Sequence, residues 1–413
     1  MEHSRELSWS LSHAPEGPLA VCISAFTSHL IDQGYAAFSA HMETRLVADF
    51  SRWLMAKRVS LSEITRDHTD RFLRHRALHK RPRRGDQVAL ARLLTLLRER
   101  GDVSTPTPTA LIDVTPSEEF ASDFAAYLGH ERALASSTIR AYVPFVSQFL
   151  AERFGLAEVN LGDLSAADVI GFVQQQAAHL QTKRSKTMTT ALRSFLQYAR
   201  YRGDVTADLA AAIPTVASWS RTSIPRAIAP DHAQQLLASC DVHTITGRRD
   251  HAILLLLARL GLRACEICAL TLQDIDWQAG HLRVRGKGGR ECQLPLPADA
   301  GEAIAEYLQH GRPAIANRSL FLRVRAPIQG IKPPQSIDKI VRTAFERAGI
   351  DSPRKGAHQF RHALATQMLS QGASLSEIGK LLRHRSPQTT TIYAKVDLLA
   401  LRALALPWPG AAP

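Results

Sequence analysis

His358-Gln-Phe-Arg361-His362 opens a helix predicted over 358–371 and sets a histidine and an arginine three positions apart, on one face. Leu381-Leu382-Arg383-His384 and Thr389-Thr-Thr-Ile-Tyr393 follow, adding a second histidine and a tyrosine. Upstream, Gly261-Leu-Arg263-Ala-Cys-Glu266 puts another arginine just past a glycine suited to ending a helix. In between, Arg283, Arg285, Lys287 and Arg290 surround the turn Gly286-Lys-Gly-Gly289, and residues 281–290 contain no acidic side chain.

These groups suit one kind of chemistry. Two guanidinium forks match the oxygens of a phosphodiester and the charge of its transition state. Histidines hold or move protons near neutral pH, a lysine at a turn protonates a leaving alkoxide, and a deprotonated tyrosine is a nucleophile. The sequence has no carboxylate cluster for magnesium, no Walker loop and no dinucleotide fingerprint, so metal-free phosphoryl transfer with no cofactor is expected. His358 and His362 stand at i and i+4, but a zinc-protease pattern needs glutamate where this chain has Gln359, so His362 is assigned a structural role. Cys265-Glu-Ile-Cys268 falls inside a helical pattern with no second cysteine pair nearby, and packing is expected there too.

The 413 residues carry 51 Lys and Arg against 38 Asp and Glu, a net charge of +13, which calls for a polyanionic partner. No apolar run reaches the roughly 18 residues of a membrane span. The run Ala252–Ala258 reads as a buried helix, and the start of the chain lacks a secretory pattern. Five scattered cysteines argue for a reducing compartment, hence the cytoplasm, and a charge of this kind for double-stranded DNA rather than a membrane.

Two Pro/Ser/Thr stretches, Ser104-Thr-Pro-Thr-Pro-Thr109 and 214–230, divide the chain into 1–106, 117–212 and 229–406, with a tail at 407–413. The first two segments look like copies. Ser51-Arg-Trp-Leu54 parallels Ser147-Gln-Phe-Leu150, Phe72 parallels Phe172, and both end in Arg-Gly-Asp-Val, with an offset drifting from 96 to 102 residues. Each has a basic cluster before its last helix: Lys80, Arg81, Arg83 and Arg84 in one, Lys183, Arg184 and Lys186 in the other. Both read as bundles of short helices that contact DNA phosphates. The third segment reads as mixed, with helices around a hairpin of Leu282–Arg285 and Cys292–Leu296, and a last helix at 397–405.

The order Arg263, Lys287, His358, Arg361, His384, Tyr393, together with Glu266, Leu270, Asp274, Asp276 and Leu381-Leu382-x-His384, resembles the signature of the tyrosine recombinase (phage integrase) family. The resemblance covers the third segment, extends more loosely to the second as a SAM-like core-binding domain, and reaches the first only through the second. It implies a mainly α fold, with helical core-binding-type domains ahead of a mixed α+β catalytic domain.

It further implies that Tyr393 attacks a DNA phosphate, leaving a 3′-phosphotyrosyl link and a free 5′-hydroxyl. Arg263 and Arg361 would clamp the phosphate with help from His384, Lys287 would protonate the leaving oxygen, and His358 would serve Tyr393 as base or shuttle. A homotetramer exchanging strands through a Holliday junction, with sister recombinases or accessory proteins as further partners, is the expected assembly. The helix at 397–405 would pack on a neighbouring protomer. Arg383 occupies a place where glycine is common in the family, and it joins Lys380, Arg385, Arg283, Arg285 and Arg290 as an expected DNA contact. The additional N-terminal segment favours an integrase or transposition enzyme of a mobile element. A Xer-type resolvase, a type IB topoisomerase-like enzyme and a non-catalytic DNA-binding regulator are the alternatives.

Overall fold

The computed structural model describes residues 15–83, 85–103, 115–216, 227–286, 289–396 and 401. Arg84, Lys287, the tail and the expected helix at 397–405 (save residue 401) lie outside these residues.

The N-terminal region is a helical bundle of α1 (Ala20–Asp32), α2 (Ala37–Ala56), α3 (Arg66–Ala77) and α4 (Asp86–Glu99), with a 3₁₀ turn at Leu61–Glu63. Its core gathers Phe26, Phe50, Leu54, Phe72, Leu93 and Leu97. The second region repeats this order of elements: α5 (Pro116–His130), α6 (Ser136–Phe154), a 3₁₀ turn at Leu161–Asp163, α7 (Ala166–His179) and α8 (Thr182–Arg202). The shared sequence anchors have shared physical roles. Trp53 meets Phe72 at a ring-centroid distance of 5.9 Å, and Phe149 meets Phe172 at 5.2 Å. Both Arg-Gly-Asp-Val endings are left-handed helix caps. Gly101 (φ 78°) and Gly203 (φ 85°) turn the chain, and the Asp102 and Asp204 amides donate back to Leu97 (2.9 Å) and Ala199 (3.0 Å). Val103 and Val205 then plug the helix ends.

Contacts divide the chain into two compact units, residues 1–105 with 223–413 in one and residues 106–222 in the other. In the first unit, the Ile328 N–H donates to the Gln33 carbonyl at 2.8 Å, joining the N-terminal bundle to the C-terminal region.

That C-terminal region is built on α10 (Ile245–Leu260), whose Ala252–Leu257 stretch is buried all round, as a helix without a polar stripe must be. α9 (Pro230–Ala238), α12 (Ala298–His310) and α14 (His358–Ser370) pack against it. α11 (Ala264–Ala269), α13 (Gln335–Arg347) and α15 (Leu375–Leu381) complete the helices.

The hairpin is present as β2 (His281–Arg285) and β3 (Glu291–Pro295), with Arg283 opposite Gln293. Alternation turns Leu282 and Val284 inward and Arg283 outward. A further strand, β1 (Ile275–Asp276), makes the sheet three-stranded and antiparallel. Two residues are too few to show a period of two, so the sequence carries no signal for it.

Candidate active site

α10 ends at Gly261, whose backbone is left-handed (φ 55°). A Cβ there would sit 2.8 Å from the Leu382 side chain, so glycine is needed for both torsion and space. Arg263 follows as the N-cap of α11. Its amide donates to Glu266 Oε2 (2.8 Å) and its Nη1 to Glu266 Oε1 (2.6 Å). Glu266 is fully enclosed. Burial alone would raise its carboxyl, but the Arg263 amide and the charges of Arg383 and Arg263 outweigh burial and hold it below the usual range.

Arg361 lies in the first turn of α14 and is 2% exposed. Its Nη1 donates to the Gly261 carbonyl (2.7 Å) and its Nη2 to the Leu382 carbonyl. Burial, with the repulsion of Arg263 and Arg383, pushes this guanidinium down to about 10. It stays charged at neutral pH, in a cluster short of negative charge.

The chain between α15 and Tyr393 completes the site. Arg383 sits at the end of α15 with φ 56°, which gives a physical reason for glycine at this place in the family. His384 Nδ1 is 2.7 Å from Thr390 Oγ1. Tyr393 belongs to a 3₁₀ stretch, Thr391–Val396, and is 1% exposed among Leu382, Ile378, Leu369 and Ala365. Its ring stacks on that of His384 (6.5 Å, 6°). His362 reaches the phenol: Nδ1 is 3.0 Å from Tyr393 Oη. His358 is exposed, its ring 5.0 Å from that of His362.

The residue that the sequence reading gave a structural role is thus the one whose ring meets the Tyr393 hydroxyl. On a helix, i and i+4 share a face, and only the return of the tyrosine segment selects between them. Burial drives His362 and His384 each down to about 4, with His358 and Arg361 reinforcing the first and Arg361 and Arg263 the second. Both rings are neutral at pH 7. Burial raises the Tyr393 phenol, and Arg361 partly offsets this.

The structure thus brings Arg263, Arg361, His384 and Tyr393 together, with His358 at the edge. The basic residues expected to touch DNA divide into two kinds. Lys80, Arg81, Arg83, Lys183, Arg184, Arg283, Arg290, Lys380 and Arg385 are exposed, and Lys186 is half-buried. Lys80 pairs with Asp49 (3.0 Å), and the less exposed Arg285 and Arg383 also face acidic partners. Arg285 clasps Asp274 through both terminal nitrogens (2.8 and 2.7 Å) and Glu291 through Nε (3.1 Å), fastening the hairpin. Arg383 pairs with Glu266 at 3.0 Å. Cys265 and Cys268 are free thiols. Burial, then the neighbouring Cys265, pushes Cys268 up to about 11, which keeps it protonated beside the core. Among the described residues, no group of His, Cys, Asp and Glu could hold a metal ion.

A helical fold around a small antiparallel sheet, with paired arginines and a buried tyrosine beside two neutral histidines, is the arrangement that the resemblance to tyrosine recombinases leads one to expect. Residues 226–398 match the phage integrase family, and residues 121–203 match the phage integrase N-terminal SAM-like domain. The chain is 51% identical, over the full length of both proteins, to the Sinorhizobium fredii protein named "Putative integrase/recombinase y4rA". It is 31% identical to the tyrosine recombinase XerD of Listeria monocytogenes, over 68% of this chain and 95% of XerD. In fold it resembles the XerH site-specific recombinase bound to palindromic difH substrate in a post-cleavage complex, with a TM-score of 0.57 and 19% identity over 76% of this chain and 93% of that one. The chain belongs to the phage integrase family of tyrosine recombinases.

Proposed function

We propose that Tyr393 is the nucleophile that cuts one DNA strand, with Arg263 and Arg361 gripping the scissile phosphate and His384 donating to it. The phenol oxygen forms the bond to phosphorus, the 5′-oxygen leaves, and Lys287 supplies its proton. His362 takes the proton from Tyr393, and His358 relays it toward solvent. The contact that carries this reading is the 3.0 Å separation of His362 Nδ1 and Tyr393 Oη, which puts a ring nitrogen within hydrogen-bond reach of the phenol. The crowding of Arg361 by Arg263 and Arg383 supports the same reading, since an entering phosphate relieves it. The phosphotyrosyl bond conserves the energy of the cut strand, so rejoining needs no nucleotide.

Tyr393 is buried in the free protein, so the segment carrying it must shift before the phenol reaches a phosphate. The direct test uses nicked suicide duplexes tiled across the DNA on either side of the chain's own gene. Wild-type protein is expected to leave a covalent adduct on a denaturing gel, and Tyr393→Phe none. An adduct that survives Tyr393→Phe would overturn the assignment, and adducts on every duplex would favour a topoisomerase-like enzyme.

Residues 1–106 and 117–212 act as two related DNA-binding modules ahead of a catalytic domain at 229–406. The matching order of elements, aromatic pairs and Gly-Asp-Val caps supports descent from one duplicated unit. Work on a mobile element, by integration, excision or transposition, is favoured by the full-length match to an integrase/recombinase, while the XerD alignment leaves the rest of this chain unmatched. Assembly as a tetramer on a Holliday junction is part of the same proposal. Cross-linking on a synthetic junction tests it: a species no larger than a dimer would count against it.

A further inference from the structure

Arg383 is the one guanidinium of the cluster that the cleavage reaction above does not use. Its backbone is left-handed (φ 56°), a torsion that strains any residue with a Cβ. Its side chain is only 13% exposed and donates from Nη2 to Glu266 Oε2 (3.0 Å) and from Nη1 to the Leu381 carbonyl (3.1 Å). Its Nε is buried with no hydrogen-bond partner. A strained torsion and an orphaned donor in one residue mark a position kept for what it does.

The partner explains what that is. Glu266 receives Arg263 on both carboxylate oxygens, through amide and side chain, and Arg383 on one of them. Without Arg383, Glu266 and Arg263 would form a closed pair whose charges cancel. With it, two guanidiniums share one carboxylate and the pair stays net positive. The backbone of the same turn serves both arginines of the site: the Arg383 carbonyl lies 3.5 Å from Arg263 Nη2, and the Leu382 carbonyl accepts from Arg361. His384 is the next residue in the chain.

We propose that Arg383 is a positioning residue, which shares Glu266 with Arg263 so that Arg263 stays oriented and net-charged toward the DNA phosphate, while its own turn fixes His384. This rests on the reading of Arg263, Arg361 and Tyr393 as the cleavage machinery and adds to it a residue that does not touch DNA.

The test compares Arg383→Gly, Arg383→Lys and the double variant Arg383→Gly/Glu266→Gln with wild type on the same pool of nicked suicide duplexes. Adduct formation is timed under single turnover, and DNA binding and thermal melting are measured separately. Glycine relaxes the torsion, so Arg383→Gly is expected to keep its melting temperature and DNA binding but to form adduct slower by on the order of tenfold or more. Arg383→Lys recovers part of the rate by keeping the charge. Adding Glu266→Gln to Arg383→Gly also recovers part, because the carboxylate that would cancel the charge of Arg263 is gone.

A purely structural Arg383 would lose melting temperature and rate together, with no recovery in the double variant. Wild-type rates in Arg383→Gly, or a double variant no faster than the single, would overturn the proposal. Should Arg383→Gly be unstable, Arg383→Gln makes the same backbone demand as wild type and carries the same comparison. Absence of any adduct with wild type would overturn the Tyr393 reading instead, so the two failures are distinguishable.

Discussion

His362 Nδ1 lies 3.0 Å from Tyr393 Oη, and the imidazole is held neutral by burial and by the charges of His358 and Arg361. The base role proposed for His362 predicts that losing it slows chemistry by about 10²–10⁴-fold. His362→Gln is therefore expected to slow single-turnover adduct formation by that order while leaving DNA binding intact. His358→Gln, one ring further out, should cost less. Equal rates in His362→Gln and wild type would reduce the contact to packing.

Acid should destabilise this protein through the same two rings. His362 and His384 sit at about 4 in the folded chain and near ~6.5 once unfolded. As pH falls, the unfolded state binds protons first, so stability present above about pH 6.5 is lost progressively toward about pH 4. Melting scans from about pH 7.5 to about pH 5 should show a falling midpoint, with a shallower fall in His384→Asn. A midpoint that is flat with pH would contradict the burial of both rings.

How far the sequence reaches can be seen residue by residue. The apolar run inside α10 and the Gly-Asp-Val caps are local signals, and local physics produces them. The choice between His358 and His362 is not local, because it depends on where Thr391–Val396 folds back. Arg285 reads as a free charge beside a basic turn, since its partner Asp274 lies eleven positions away, across β1 and the turn into β2. The pairing of Arg383 with Glu266 spans 117 positions, and no spacing rule reaches that far. What the sequence shows well is which chemical groups are present, and what it hides is which of them are already spoken for.

Gly261 joins the fold to the site. Its φ of 55° costs an alanine about 1–2 kcal/mol, and the added Cβ would also press on Leu382 and Leu364. Gly261→Ala is expected to lower stability by at least that amount in urea titrations. Because the Gly261 carbonyl accepts from Arg361 Nη1, adduct formation should fall further than the loss of folded protein explains. A loss of rate that merely tracked the unfolded fraction would separate the glycine from the site.

The N-terminal bundle presents a cleft of about 560 Å³ lined by Arg76, Lys80, Arg81, Pro82 and Arg83. Two of its cations are already paired, Arg76 with Asp86 at 2.6 Å and Lys80 with Asp49 at 3.0 Å. Arg81 and Arg83 are exposed, and they are the ones expected to bear on phosphate. Neutralising a phosphate contact lowers the slope of log affinity against log salt by about one. Arg81→Gln/Arg83→Gln should thus weaken DNA binding almost equally on every sequence and flatten the salt slope by about two. The position of the Tyr393 adduct within the duplex should not move, since phosphate contacts set grip rather than sequence. A salt slope unchanged from wild type would make the cluster a solvated face, and the N-terminal bundle would then need another reason for its charge.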